Sequence, residues 1–275
     1  MTSLTAPNGT AYELTGPDNA PCIALIHGLG LNLHCWQWTQ PALSDRYRVL
    51  SFDLWGHGES PAPRETPSLS LFSQQLFDLL DHIGVDAAGI VGFSLGGMIA
   101  RRAAQAAPDR VTALAILHSA YKRDEVAQAA ILERVAQARF DGPSSTVEAA
   151  LKRWFTDDFR NKNPEMMGLV RSWVTANDKD VYHTIYAVLA NGTDEITVPQ
   201  PPITCPTLVM TGDEDHGNNP DMTRAIAAEI AGAQTCILPG LRHMALAENP
   251  KAVNTPLRAF LDNVFTDHAP FAADH

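Results

Sequence analysis

Ser94 stands in the stretch VGFSLGGM, with Gly92 and Gly96 two positions to either side. The apolar run AAGI precedes it, and a helical pattern from about Leu95 to Ala107 follows, closed by Pro108. In that strand-to-helix setting a GxSxG pattern is a sharp turn that lifts a serine Oγ above the sheet edge, where glycines remove side chains that would collide. A hydroxyl alone is a weak nucleophile and needs a base oriented by a carboxylate. Both residue types follow in suitable places. TGDEDHGNNP, after the run PTLVM, offers Asp213, Glu214 and Asp215, and LRHMALAENP, after QTCILPG, offers His243. This set suits acyl transfer through a serine with an imidazole base. HGLG at 27–30, leaving the strand CIALI, frees backbone N–H groups. The N–H of Leu29 and that of Leu95, at the start of the helix after Ser94, are the expected oxyanion donors.

Other residues could serve the same chemistry or merely pack. Trp36, Trp38 and Trp55 are candidates for a pocket wall or for the core. His118, ending the run VTALAIL, and His34 are each open to a structural role or a substrate contact, and His118 is the better substrate candidate. His216 is expected on an exposed loop, His82 on a helix, and His268 and His275 in a polar tail. Arg101 and Arg102, on the helix after Ser94, are expected on a solvated face. Cys22, Cys35, Cys205 and Cys236 form no CxxC pair, so they are expected as reduced, mostly buried thiols with neither a zinc site nor a disulfide framework.

The elements that must position these residues alternate. Six short apolar runs (CIALIH, YRVLSFD, AAGIVGF, VTALAILH, PTLVMTG and QTCILPG), several with helical stretches between them, imply a mainly parallel sheet covered on both faces. SLSLFSQQLFDLLDHIG carries Phe72, Leu76, Leu79, Leu80 and Ile83 at helical spacing, and Gly84 supplies the stop. KAVNTPLRAFLDNVF predicts a further helix that Pro256 interrupts or restarts. Between residues 121 and 198 the rhythm breaks into helical segments, an insertion far longer than a crossover requires. It is expected as a cap (121–198) over a core made of 1–120 and 199–275, with Trp154, Met166, Met167 and Trp173 as an apolar ceiling or as helix packing.

With 275 residues, 45% of them hydrophobic, the chain can bury a full core. A net charge of −11 argues against nucleic acid as partner. The opening MTSLTAPNGTAYELTG lacks a basic start and apolar stretch, and no run of about 18 apolar residues occurs, so a cytoplasmic protein with no membrane partner is expected.

Taken together, HGLG at 27–30, DLWGHGES at 53–60, GFSLGG at 92–97, GDEDHGNNP at 212–220 and LPGLRHMALAENP at 238–250 resemble the α/β-hydrolase fold superfamily. The resemblance runs from about Cys22 to Phe265 and is strongest to the cofactor-free group of 3-oxoadipate enol-lactonases, carboxylesterases, C–C bond hydrolases and non-haem haloperoxidases. It implies a helical cap inserted after the sixth strand, and an acid at the third position after Gly212, which is Asp215. Epoxide hydrolases and haloalkane dehalogenases, of similar layout, carry Asp where this chain has Ser94. Where the group commonly has Arg in D-x-R-G-x-G-x-S, this chain has Trp55. The implied activity is cleavage of a small carboxylic ester or lactone by Ser94, Asp215 and His243, without metal or organic cofactor, in a monomer or homodimer. C–C bond hydrolysis or perhydrolysis at the same site, and a non-enzymatic ligand receptor on the same scaffold, are the alternatives.

Overall fold

The structure, a computed structural model, describes residues 3–266, and His268 and His275 lie outside the described residues. Eight strands form one sheet: β1 (Leu4–Thr5), β2 (Ala11–Thr15), β3 (Cys22–Ile26), β4 (Arg48–Phe52), β5 (Ala88–Phe93), β6 (Val111–Leu117), β7 (Thr207–Gly212) and β8 (Gln234–Leu238). Their spatial order is β1-β2-β4-β3-β5-β6-β7-β8, with β3 to β8 parallel and β1 and β2 added antiparallel at one edge. The six parallel strands are the six apolar runs. Buried on both faces, β3 and β5 have no polar alternation to show, which is why they read as continuous runs. The edge strands β1 and β2 are short and partly exposed, and no apolar run announced them.

Side-chain alternation divides the core in two. Ala24, Ile26, Leu50, Phe52, Ile90, Leu114 and Ile116 face α1 (Leu69–His82) and α2 (Leu95–Ala106). On the other face Ile23, Leu25, Val91, Phe93, Ala115 and Leu117 meet the last two helices of the chain. The first helix starts where Ser68 Oγ accepts the Leu71 N–H at 3.0 Å, and buries Phe72, Leu76, Leu79 and Leu80.

The insertion between β6 and β7 contains α3 (Glu125–Asp141), α4 (Ser144–Trp154), α5 (Asp157–Lys162), α6 (Pro164–Thr175), α7 (Lys179–Asn191) and α8 (Thr193–Ile196), with no strand among them. After it come α9 (Pro220–Ala228), α10 (Ala245–Glu248) and α11 (Pro250–Val264). The last of these runs unbroken through Pro256, against expectation. A proline inside a helix costs about 3 kcal/mol, and here burial of Val253, Leu257, Phe260 and Leu261 along one stripe opposes that cost. Among the described residues no helix is long and apolar enough to cross a membrane. All four cysteines are free thiols, Cys22 and Cys35 buried, Cys205 and Cys236 half-buried.

Arg101 corrects a second expectation. Only 1% exposed, it is one of the largest buried side chains, while Arg102 reaches Ser70 Oγ near the surface. Its guanidinium donates to Ala120 O at 3.2 Å and Ile196 O at 2.8 Å and pairs with Glu229 at 3.4 Å. Glu229 in turn accepts from Tyr121 OH at 2.7 Å and Val198 N–H at 2.9 Å. One ion pair thus holds both ends of the insertion against α2 and the segment after α9. Helical periodicity could not reveal this, because the partners are backbone carbonyls far away in sequence.

The segment 53–60 is a staple under the 27–30 loop. Asp53 accepts the N–H of Leu33 at 2.7 Å and of Glu59 at 2.8 Å, and a Cβ on Gly58 would lie 2.1 Å from its carboxylate. His57 Nε2 accepts the Gly30 N–H at 3.0 Å, and His27 Nε2 accepts the Leu54 N–H at 3.0 Å. Both rings are therefore neutral acceptors. Burial drives His27 down from 6.5 to about 4, and it drives His57, with the His27 ring adding to the effect, well below its ordinary range. Trp55 lines a separate surface cleft with Asn8, Pro61 and Leu71, away from Ser94.

Two outcomes are expected. Arg101→Met should lower stability in chemical denaturation by about 3 kcal/mol or more, since it strips a buried pair of one partner, whereas Arg102→Met should stay within about 0.5 kcal/mol. Equal losses would contradict the role given to Arg101. Below pH 6.5 the unfolded chain protonates His27 and His57 before the folded chain can, so stability falls as pH drops through that window. For His27 alone the loss by pH 4 is on the order of 3 kcal/mol. Thermal midpoints should decline from pH 7 to pH 5, and His57→Gln should make that decline shallower; an unaltered slope would count against buried, neutral rings.

Candidate active site

Strand β5 delivers Ser94 into a turn with φ 57° and ψ −115°, one of three non-glycine residues at positive φ among the described residues. Close packing imposes this turn. A Cβ on Gly92 would sit 2.2 Å from Gly96 O, one on Gly96 2.1 Å from Ile26 O, and one on Gly97 2.6 Å from Ser119 Cβ. The Ser94 N–H donates to Leu117 O at 2.8 Å and Ser119 Oγ donates to Ser94 O at 2.8 Å, so the last residue of β6 and the segment just after it hold the turn from both sides. With the backbone fixed, Oγ projects from the carboxyl edge of the sheet.

Ser94 Oγ lies 3.1 Å from His243 Nε2, and His243 Nδ1 lies 2.8 Å from Asp215 Oδ2. An Nδ1–H donated to the carboxylate leaves the Nε2 lone pair facing the hydroxyl. The other carboxylate oxygen, Oδ1, accepts the N–H groups of Gly217 at 3.1 Å and Asn218 at 3.0 Å. Burial pushes the Asp215 carboxyl up, but the His243 ring and the bonds from His118 and His243 outweigh it and hold the group well below the usual carboxylate range. Asp213 is exposed and occupied elsewhere: its Oδ1 accepts the Gly240 N–H at 2.7 Å, bracing the loop that carries His243. Glu214 points to Arg242 at 3.5 Å.

His118 does not line the cavity at Ser94. Fully buried, its Nδ1 donates to Asp215 Oδ2 at 3.0 Å, and burial lowers its pKa, so it is a neutral second donor to the same oxygen. His118, Asp215 and His243 bring metal-ligand atom types within 4.8 Å of one another. Their chemistry fits hydrogen bonding instead, because both Nδ1 atoms are spent as donors to one oxygen and offer no lone pair to a cation.

The 28–30 loop lies against the serine: a Cβ on Gly28 would approach Ser94 Cβ to 3.1 Å. Gly30 N–H is taken by His57 and Leu31 N–H by Gly28 O, while the Leu29 N–H has no backbone acceptor among the described residues. Leu95 N–H, at the first position of α2, has no intrahelical partner by geometry. Leu29 borders the space above Ser94 Oγ.

That space opens into a chamber of about 110 Å³ walled by Leu29, Ser94 and His243 below and by the insertion above. Trp154 belongs to this wall, its ring 6.1 Å from that of His243. Trp36 and Met167 do not: Trp36 is fully buried edge-to-face on Phe93, and Met167 packs with Val170 and Trp173 inside the insertion. His34 and His216 are exposed. Residues that the sequence reading passed over, Arg123, Arg134, Arg153, Tyr182 and Tyr186, line the chamber. A signal was available for two of them. Arg134 shares a helical face with the buried Ile131 and Ala138, and Arg153 with the buried Thr146 and Ala150, so neither stands on a solvated side.

A family model described as alpha/beta hydrolase fold matches residues 21–250. The (E)-2-((N-methylformamido)methylene)succinate hydrolase of Acinetobacter baylyi is 28% identical over 255 residues, covering 93% of this chain and 95% of that one. The 3-oxoadipate enol-lactonase 2 of the same organism is 25% identical over 250 residues, covering 91% and 92%. Among solved structures, the enol-lactonase from Burkholderia xenovorans LB400 superposes with a TM-score of 0.85 at 29% identity, over 92% of this chain and 97% of that one. A mainly parallel sheet, a helical insertion after β6 and a family match across most of the length agree: the chain belongs to the alpha/beta hydrolase fold family.

Proposed function

We propose that the protein is a serine hydrolase that cleaves a small carboxylic ester or lactone through an acyl-enzyme. The observation that carries this reading is the continuous relay from Ser94 Oγ to His243 Nε2 at 3.1 Å and from His243 Nδ1 to Asp215 at 2.8 Å. His243 takes the hydroxyl proton as Oγ bonds to the substrate carbonyl carbon. The resulting oxyanion is met by the N–H groups of Leu29 and Leu95, donors that act most strongly where water is excluded. When the tetrahedral adduct collapses, the carbonyl–oxygen bond breaks and His243 gives its proton to the departing alkoxide. Water then attacks the acyl-enzyme with His243 again as base, releasing the acid and restoring Ser94. Asp215 keeps the imidazole in the required tautomer, and its lowered pKa means that it stays ionised throughout.

Residues 121–198 act in this scheme as the lid that sets which acyl and alcohol groups fit. Trp154 supports that role, since it reaches down beside His243 while its carbonyl accepts the Met244 N–H at 2.8 Å. The names of the relatives, a succinate-derivative hydrolase and enol-lactonases, agree with hydrolysis of a small acyl compound.

Ser94→Ala should abolish turnover of 4-nitrophenyl acetate and labelling by a fluorophosphonate while circular dichroism stays unchanged. Retained turnover in pure variant protein would remove Ser94 from the mechanism, and a wild-type protein that never labels would favour a receptor. Asp215→Asn should lower kcat by up to about 10⁴-fold and Asp213→Asn by no more than about tenfold. The opposite order would transfer the acid's role to Asp213.

A further inference from the structure

Three guanidinium groups, those of Arg123, Arg134 and Arg153, stand together on the chamber that holds Ser94, and the same three border the groove leading from it to the surface. None meets a carboxylate among the described residues. Arg123 donates to the carbonyls of Ala190 and Leu189, both at 3.2 Å, and Arg134 Nε donates to Tyr186 OH at 3.1 Å. Burial and the nearby Arg134 charge lower Arg123 to about 10, and the same two causes, in the same order, lower Arg153. Asp124 and Asp221, on the rim of the groove, are engaged elsewhere: Asp124 caps α3 through the Ala127 N–H at 2.7 Å, and Asp221 pairs with Arg224 at 2.8 Å.

Gathering three half-buried cations without a counter-charge is costly. In a chain with 31 acidic and 20 basic residues it is also against the overall charge. Among the described residues Arg123 and Arg134 have neutral hydrogen-bond acceptors but none of the three has an ion-pair partner, which leaves the compensating charge to a ligand to supply. We propose that the chamber takes an ester or lactone that carries a free carboxylate, with Arg123, Arg134 and Arg153 receiving that carboxylate while the reacting carbonyl lies at Ser94. The proposal rests on the reading of Ser94 as nucleophile and adds the substrate's charge to it. Planar guanidinium forks suit a carboxylate, and the small chamber, about 110 Å³, favours a short dicarboxylic skeleton over a bulky phosphorylated one. The positive groove would also draw such an anion inward against the negative charge of the whole molecule.

Monomethyl glutarate and dimethyl glutarate differ by one anionic carboxylate and share the scissile bond. Wild-type enzyme should cleave the hemiester with kcat/KM about 10- to 100-fold above the diester, the worth of one charge-assisted hydrogen bond. In Arg153→Met, and separately in Arg134→Gln, that ratio should fall toward unity, mainly through KM for the hemiester. Preference for the diester, or a ratio that survives both variants, would overturn the proposal. Competition in wild-type enzyme requires no variant to fold: glutarate should inhibit 4-nitrophenyl acetate cleavage more strongly than inorganic phosphate, and the reverse ranking would refute the carboxylate assignment. Fluorophosphonate labelling separates the two levels of argument. Protein that labels and cleaves the acetate yet shows no hemiester preference refutes the anion subsite alone, and protein that does not label refutes the reading beneath it.

Discussion

Ser94 adopts φ 57° and ψ −115°, a backbone conformation that costs a residue with a side chain about 1–3 kcal/mol, and the geometry of the site follows from how that conformation is enforced. Strands β3, β5 and β6 crowd around it so closely that Gly92, Gly96 and Gly97 admit no Cβ. Hydrogen bonds to Leu117 O and from Ser119 Oγ close the remaining freedom. Because the turn is over-determined by the sheet, Oγ, the start of α2 and the 28–30 loop are fixed relative to one another before any ligand arrives. Pre-organisation of this kind is what an oxyanion requires.

Charge is arranged in layers around that point. Beneath the 28–30 loop, His27 and His57 are buried and neutral, acting as acceptors for backbone N–H groups. At the level of the serine a single carboxylate, Asp215, is buried and ionised, supplied with donors on both oxygens. Above lie the guanidinium groups of the insertion. His118 belongs to the middle layer. Its Nδ1 shares Asp215 Oδ2 with that of His243, and as a second donor it stabilises the ionised acid.

Much of this was legible in the sequence, and the reasons are local. The six parallel strands announce themselves as apolar runs because both their faces are covered, and the Ser94 turn does so because its glycines are sterically required. The antiparallel edge strands left no such trace, being short and partly wet. Asp215 stood beside Asp213 and Glu214 with nothing in its residue type to single it out; only the family's spacing did so, and the fold distinguishes them by burial and partners. Trp36, His118 and Met167 show the opposite failure. Their types suit a pocket wall, but which side of a strand end or helix they occupy depends on packing between distant segments. Arg101 was misjudged for the same reason, since its partners Ala120, Ile196 and Glu229 are separated from it by up to 128 residues.

The Arg101–Glu229 pair brings the two ends of the insertion to one point, so from the side of the sheet the whole of 121–198 is a closed loop with a fixed, narrow base. Closing a loop is an entropic cost that grows only with the logarithm of its length: contracting it about eightfold alters the cost by roughly 2 kcal/mol. The sheet domain is therefore nearly indifferent to how much chain hangs from that base. Insertions of very different size and lining could be exchanged over an unchanged serine, acid and histidine, because the core's closing cost depends so weakly on the length of chain between the two anchored ends.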